Sequence, residues 1–256
     1  MGKPGSDPVA SRAGGGAATF AKYRERSAYH WREASLHPIA GWPYTRSRMA
    51  WVARQCATSR TILEVGCGDG ALLARLARGG TTVAGVDLDG TAIELATRMF
   101  ARRGLRGEFF TDLRAVEHRR FDAVVLAEVI EHLEEAEAML ARLADLLSAH
   151  GRLVLTTPIR LLERPLDAHH VHEFWPDELR ALVGRYFETV DTVRMHPTWL
   201  IDLMCLGIGR IRPVAVFANL VRLATGIELL DRLGSPLSIF WTQGIVATTP
   251  RHERRG

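Results

Sequence analysis

The sequence predicts an α/β fold: a doubly wound, mostly parallel sheet of seven strands with helices on both faces. Three observations carry the prediction. Continuously apolar runs such as "TILEV" at 61–65 and "FDAVVLA" at 121–127 alternate with amphipathic segments such as 90–103, the pattern of a parallel sheet covered on both sides. A glycine-rich stretch, "EVGCGDG" at 64–70, sits between the first strand and the next helix. The chain of 256 residues suits one such domain with a sizeable core and some added elements.

The elements follow in order. Residues 1–22, opening "MGKPGSDPVASRAGGGAAT", have no apolar signal core and read as a flexible leader. In 23–60, Tyr23, Tyr29, Trp31, Trp42 and Tyr44 alternate with charges, and 45–57 has the apolar spacing of a helix leading into the first strand. Strands are expected at 61–65, 82–87, 107–111, 121–127, 151–156, 187–194 and 239–247. Helices are expected at 70–78, 90–103, 133–148 and 176–185, the last opening on Pro176, which suits a first helical turn. The core so defined spans 61–194. Residues 195–238 interrupt it with a segment too apolar for one exposed loop, punctuated by Arg210, Arg212, Arg222 and Arg232; it is expected to be ordered and mostly helical. Residues 239–250 return as the last strand, and 251–256 form a tail.

Composition narrows the class. Apolar residues make up 47%, charged residues 24%, and net charge is +4, an ordinary globular balance whose mild basic excess does not argue for a nucleic-acid partner. The three cysteines, Cys56, Cys67 and Cys205, are too few and too scattered for a disulfide framework or zinc site, so a cytoplasmic location is expected. No stretch has the roughly 18 apolar residues of a spanning helix.

Gly66, Gly68 and Gly70 open the helix that follows the first strand, and loops at strand carboxyl ends are where open parallel sheets bind ligands. Backbone free of Cβ atoms lets a nucleoside lie close. The spacing is G-x-G-x-G rather than the nicotinamide G-x-G-x-x-G, and no G-K-[ST] follows, which excludes a P-loop. Glu64, two places before the first glycine, suits a ligand with an ammonium group better than a pyrophosphate.

These residues resemble the first motif of the class I S-adenosylmethionine-dependent methyltransferases, a Rossmann-like family. The resemblance runs over about 45–194 plus the last strand and includes "GVDLD" at 85–89, "FFTDL" at 109–113, "FDAVVLAEVIEHL" and "GRLVLTTP". It implies S-adenosyl-L-methionine as methyl donor. The implied contacts are Glu64, Gly66, Cys67, Gly68 and Gly70 around the methionine and ribose, with Cys67 only a small loop residue. Asp87 would take the ribose hydroxyls with Leu88 beside it, Asp112 would face the adenine amino group with Leu113 beside it, and Ala127 would lie at the fourth strand's exit. It also implies that the helices of 23–60 form a lid.

Glu128, Glu131 and His132 stand at i, i+3 and i+4, so one helical turn would aim all three at the substrate side. "DAHHVHEFWPDEL" then offers His169, His170, His172 and Glu173. Small-RNA 2′-O-methyltransferases are similar in this stretch, which implies a divalent ion on Glu128, Glu131, His132 and His172; ubiquinone-type O-methyltransferases are similar without that implication. We read the site without a metal, with His132 as general base and His169 second, since a hydroxyl nucleophile gains from a base that titrates near neutrality. His30, His118 and His150 are expected at the surface. The function expected is methyl transfer to a small-molecule hydroxyl in specialised or cell-envelope metabolism. The alternatives are a metal-dependent RNA ribose 2′-O-methyltransferase and an N- or C-methyltransferase. The apolar insertion would wall a pocket for a hydrophobic or carrier-bound acceptor, or form a homodimer face.

Overall fold

The structure, a computed structural model, describes residues 21–165, 167–207, 212–233 and 238–251. The expected leader and tail lie outside these, apart from residues 21, 22 and 251. Seven strands make one sheet in the order β3-β2-β1-β4-β5-β7-β6. They are β1 (Thr61–Val65), β2 (Thr82–Val86), β3 (Glu108–Phe110), β4 (Phe121–Ala127), β5 (Leu147–Pro158), β6 (Phe187–Pro197) and β7 (Phe240–Pro250). Only β7 runs antiparallel to its neighbours, β5 and β6. The order reverses between β1 and β4, so their carboxyl ends flank the crevice where such sheets bind ligands.

The helices are α1 (Ala21–Arg26), α2 (Tyr29–Glu33), α3 (Pro43–Gln55), α4 (Ala71–Leu76), α5 (Gly90–Arg102), α6 (Ala136–Asp145), α7 (Pro176–Gly184), α8 (Thr198–Cys205) and α9 (Pro213–Thr225). Successive strand side chains point to opposite faces. Leu63, Val124, Leu126 and Leu153 join one core with Leu140 and Leu143 of α6 and Leu179 and Val183 of α7. Ile62, Ala123, Val125 and Val154 join another with Val52 of α3, Leu73 of α4 and Phe100 of α5. Burial on both faces is why these strands read as unbroken apolar runs.

Two expectations fail on boundaries. The helix expected over 133–148 is cut to α6, and 147–150 open β5 instead. Leu146 and Leu147 are buried, and Leu147 pairs with Phe121 of β4; burial against the sheet overrides helical periodicity. The helical turn expected at Glu128 is also absent. Glu128 has φ +57°, and only Ile130–His132 form a 3-10 turn.

Residues 195–197 extend β6, and the described remainder of the insertion includes α8, α9 and a 3-10 turn at Leu229–Asp231. Leu200, Ile201 and Met204 of α8 and Ala215 and Ala218 of α9 form a third core with Leu230, against Trp42, Tyr44 and Trp241. Two polar anchors fix it to the lid side. Asn219 Nδ2 donates to the carbonyls of Pro38 (2.7 Å) and Gly41 (2.9 Å). Arg46 donates to Glu228 Oε2 through Nε (3.1 Å) and Nη2 (3.0 Å), with both side chains nearly buried. No described helix is long and apolar enough to cross a membrane.

Removing one partner of a buried ion pair strands the other charge, at a cost of about 3–5 kcal/mol. Glu228→Ala should therefore lower the thermal midpoint by roughly 6–20 °C, at about 2–4 °C per kcal/mol for a chain of this size. Glu228→Gln, which still accepts a hydrogen bond, should lose less. Calorimetric melts of the two variants check this, and equal, negligible losses would show that the anchor is not a stabilising pair.

Candidate active site

The glycine loop turns sharply off β1: Gly66, Gly68 and Gly70 have φ of +74°, +53° and +76°. At two of them a side chain of this protein occupies the space a Cβ would need. Val129 stands over Gly66, and the Tyr23 hydroxyl stands over Gly68. The glycines thus serve the packing of lid and loop, and not only room for a ligand as expected. Cys67 points away from the crevice onto Gly85, and burial beside Glu64 pushes its thiol far above the ordinary range.

Asp69 ties the lid down. Its fully buried side chain accepts the His30 N–H at Oδ2 (2.9 Å), its Oδ1 stands 3.4 Å from His30 Nδ1, and its carbonyl accepts Trp31 Nε1–H (2.6 Å). His30 also meets the Tyr23 hydroxyl at 3.4 Å. His30 is therefore a half-buried latch residue, not the surface histidine expected. Nothing in the sequence marked it beyond its neighbours Tyr29 and Trp31.

The acids of the crevice differ in environment. Glu64 is buried with Oε2 unpartnered. Desolvation, with Asp69 and Asp87 nearby, holds its carboxyl well above the usual range against the pull of Arg48 and the Leu73 N–H. Asp87 accepts Gly68 N–H at Oδ2 (2.8 Å) and Asp89 N–H at Oδ1 (2.9 Å), bridging β2 to the loop; burial raises its pKa and those two bonds offset part of the rise. Leu88 beside it is 76% exposed, an apolar surface with no protein cover. Asp112 sits at the outer end of the crevice, where Arg114 donates to Oδ2 (2.7 Å) and holds its carboxyl below the usual range. Leu113 is buried in the core, and Ala127 ends β4.

Beyond β4 the acid–histidine stretch splits three ways. Glu128 turns toward α3, accepting from the Tyr44 hydroxyl (3.2 Å) and pairing with Arg48 (3.3 Å). Glu131 is buried, accepts from Thr157 Oγ1 (2.9 Å), and has a pKa raised by burial and lowered by His132, Thr157 and His170. His132 Nδ1 lies 3.0 Å from the His169 carbonyl. A carbonyl only accepts, so Nδ1 carries a hydrogen, and in the neutral ring the lone pair is then on Nε2. The His169 imidazole, expected as second catalytic group, is exposed; that residue contributes its carbonyl. His172, expected among the metal ligands, is drawn to Glu178 of α7 (2.8 Å) and meets the Phe174 ring edge-on. His170 stands in its place, held by Glu173 (2.7 Å), its ring 5.0 Å from that of His132. Among the described residues, Glu131, His132 and His170 have donor atoms within 4.8 Å of one another. Glu128 is outside that group.

A cavity of about 640 Å³ opens on these side chains, lined by His30, Tyr44, Arg48, Glu128, Glu131 and His132 among others, with Arg212 and Ala215 closing it from the insertion. Its polar lining does not suit the hydrophobic acceptor that the insertion's composition suggested. The buried apolar side chains of α8 and α9 pack on one another and on Trp42.

Residues 63–153 match the family model of the methyltransferase domain. Over that stretch the chain is similar to a methyltransferase domain. The match spans the glycine loop, Asp87, Asp112 and the Glu131–His132 turn. Over 101 residues the chain is 37% identical to an uncharacterized methyltransferase of Mycobacterium tuberculosis, covering 39% of this chain and 51% of that protein. Over 132 residues it is 36% identical to the mitochondrial ubiquinone biosynthesis O-methyltransferase of Schizosaccharomyces pombe, 48% of each. The chain thus spans about half the length of these curated relatives. The methyltransferase fold is shared with phosphoethanolamine N-methyltransferase 2 of Haemonchus contortus in complex with S-adenosyl-L-methionine: TM-score 0.59 at 15% identity, covering 92% of this chain and 61% of that one.

Glu64 makes the domain's stability pH-dependent. Its folded pKa is raised, so its contribution is complete near and below the ordinary glutamate value of 4.5 and is lost as pH rises through the folded value. Glu64→Gln cannot ionise and keeps an acceptor for the Leu73 N–H. In the ligand-free protein, the thermal midpoint of Glu64→Gln minus that of the wild type should grow as pH rises from 4.5. Melts across a pH series test this, and a difference that stays flat would place Glu64 in a solvated environment.

Proposed function

We propose that the chain uses S-adenosyl-L-methionine to methylate a hydroxyl of a polar small-molecule acceptor, in specialised or cell-envelope metabolism. The observation that carries the chemistry is the His132 tautomer: Nδ1–H is committed to the His169 carbonyl, which leaves Nε2 as a proton acceptor in a residue that lines the cavity. The crevice residues fit the cofactor. The unpartnered Glu64 Oε2 suits an ammonium group, Asp87 suits ribose hydroxyls through its remaining lone pairs, and exposed Leu88 suits the flat face of a base.

The bound sulfonium supplies a methyl carbon that is already electrophilic. This chain's residues then have three tasks. The lid and insertion exclude water, the polar lining orients the acceptor, and His132 takes up the hydroxyl proton as the new bond forms. A metal-dependent reaction is the second reading, favoured by one observation, the grouping of Glu131, His132 and His170. It is a different ligand set from the one the sequence suggested. RNA ribose methylation belongs with that reading, and N- or C-methylation would not need the base. The three free cysteines suit a cytoplasmic location. Phe217, Leu220 and Leu223, exposed on α9, are the side chains a homodimer through 195–238 would use.

Isothermal calorimetry should show binding of S-adenosylhomocysteine and none of NAD. Asp87→Ala should weaken that binding by roughly 10- to 150-fold, the loss of about 1.5–3 kcal/mol expected for charge-assisted hydrogen bonds. An unchanged dissociation constant would remove Asp87 from the ribose site.

For the acceptor identified by a mass-spectrometric screen, His132→Ala should lower kcat by about 10²–10⁴ with S-adenosylhomocysteine affinity nearly intact. Turnover should survive excess EDTA. Activity lost to EDTA and restored by magnesium or manganese would establish the metal reading instead.

A further inference from the structure

Six side chains form one continuous hydrogen-bonded line from the cavity to the far side of α3. Glu128 Oε2 accepts from Tyr44 Oη (3.2 Å), Tyr44 Oη meets Thr242 Oγ1 (3.1 Å), and Thr242 Oγ1 meets His196 Nδ1 (3.0 Å). His196 Nε2 meets Ser47 Oγ (3.0 Å), and Ser47 Oγ donates to Asp231 Oδ1. Ser47, His196 and Thr242 are buried, whereas the Asp231 side chain is 29% exposed beside Arg54. The residues come from α3, the β4 exit, β6, β7 and the insertion. His196 has φ +61°, a left-handed conformation that is strained for a non-glycine residue, and it presents both ring nitrogens to the line.

Counting hydrogens shows what the line can do. Five links require five hydrogens. Glu128 and Asp231, each paired with an arginine, Arg48 and Arg54, accept through their carboxylate oxygens and contribute none, and the three hydroxyls contribute one each. His196 contributes one, because burial and Arg48 push its pKa down to about 3 and keep the imidazole neutral. Four hydrogens serve five links, so one link is always short. A proton arriving at Glu128 completes them all. The carboxyl then donates to Tyr44, Tyr44 to Thr242, Thr242 to Nδ1, Nε2–H to Ser47, and Ser47 to Asp231.

We propose that this line is a proton relay that takes a proton from the acceptor pocket at Glu128 and releases it at Asp231. It rests on the methyl-transfer reading only for the source of that proton. The acceptor O–H bond breaks as its oxygen gains the methyl group, and His132 Nε2 takes the proton. His132 passes it across the cavity to Glu128, each member hands its own hydrogen to the next, and Asp231 gives one to water. His132 is restored and no net charge stays inside. Each passage converts His196 from the Nε2–H to the Nδ1–H tautomer, and rotation of the hydroxyls resets the line.

The tautomer is the readout, and it needs no acceptor. Full-length protein labelled with ¹⁵N-histidine is compared with variants at each end, His196 being assigned by its loss in His196→Gln. Glu128 and Asp231 are not hydrogen-bonded to the ring, whereas the Tyr44 ring lies edge-on to it at 4.8 Å, so Glu128→Ala is the decisive variant at the pocket end. In Tyr44→Phe, Thr242 loses a partner and turns its hydrogen to Nδ1, so the Nε2–H form should gain population. Glu128→Ala should act in the same direction through Tyr44. In Asp231→Ala, Ser47 turns its hydrogen to Nε2, so the Nδ1–H form should gain. Opposite shifts from opposite ends establish a connected line. Unchanged tautomers, or shifts in one direction from both ends, overturn it, because residues that merely pack would not move a remote tautomer by sign. S-adenosylhomocysteine binding on the same samples judges the methyl-transfer reading separately.

Discussion

The backbone at Glu128 divides the site. With φ at +57°, the chain leaves β4 in a left-handed turn instead of continuing into a helix. That one conformation sends Glu128 toward Tyr44 and Arg48 and places Val129 over Gly66. It also starts the 3-10 turn that buries Glu131 under Thr157 and brings His132 to the cavity. A helical turn would have laid Glu128, Glu131 and His132 on one face. The left-handed turn gives them three environments: an ion pair, a desolvated hydrogen bond and a cavity wall. It also links the two sides of the crevice, since Gly66 must lack a side chain for Val129 to sit where it does.

The second constraint is the joining of lid and insertion. α9 reaches the loop before α3 through Asn219, and the 229–231 turn reaches α3 through Asp231 and, just before it, Glu228. A buried ion pair is a poor source of net stability compared with apolar packing, but it is intolerant of displacement. Arg46 and Glu228 therefore fix the insertion's position more than they strengthen the fold. The cavity they help roof has a wall from each body, so its shape depends on that position.

The sheet was legible in the sequence because burial on both faces leaves strands without polar interruptions, and a strand of five to seven such residues has few alternatives. The glycine loop was legible as a ligand loop from its spacing. What occupies it was not, because Tyr23 and His30 arrive from some forty residues away and carry no motif. The grouped side chains differ from the expected metal set at two members, Glu128 and His172. "DAHHVHEFW" offers three histidines within four positions, and Glu178 of α7 draws His172 outward while Glu173 draws His170 inward. Only the fold decides which carboxylate each imidazole meets. His196 and Thr242 were invisible for the same reason: their partners lie 149 and 198 residues distant.

Desolvation sets the chemistry available to the pocket. Glu64 and Glu131 have pKa values raised by burial, so each favours its protonated form more than an exposed glutamate does. Glu128 differs because Arg48 stands beside it and stabilises the charged form. The same cation disfavours a charge on His196. One arginine thus pairs with the pocket end of the hydrogen-bonded line and keeps its middle neutral. Those are the two conditions under which four hydrogens must serve five links, and under which a proton entering at Glu128 finds a place without creating a buried cation.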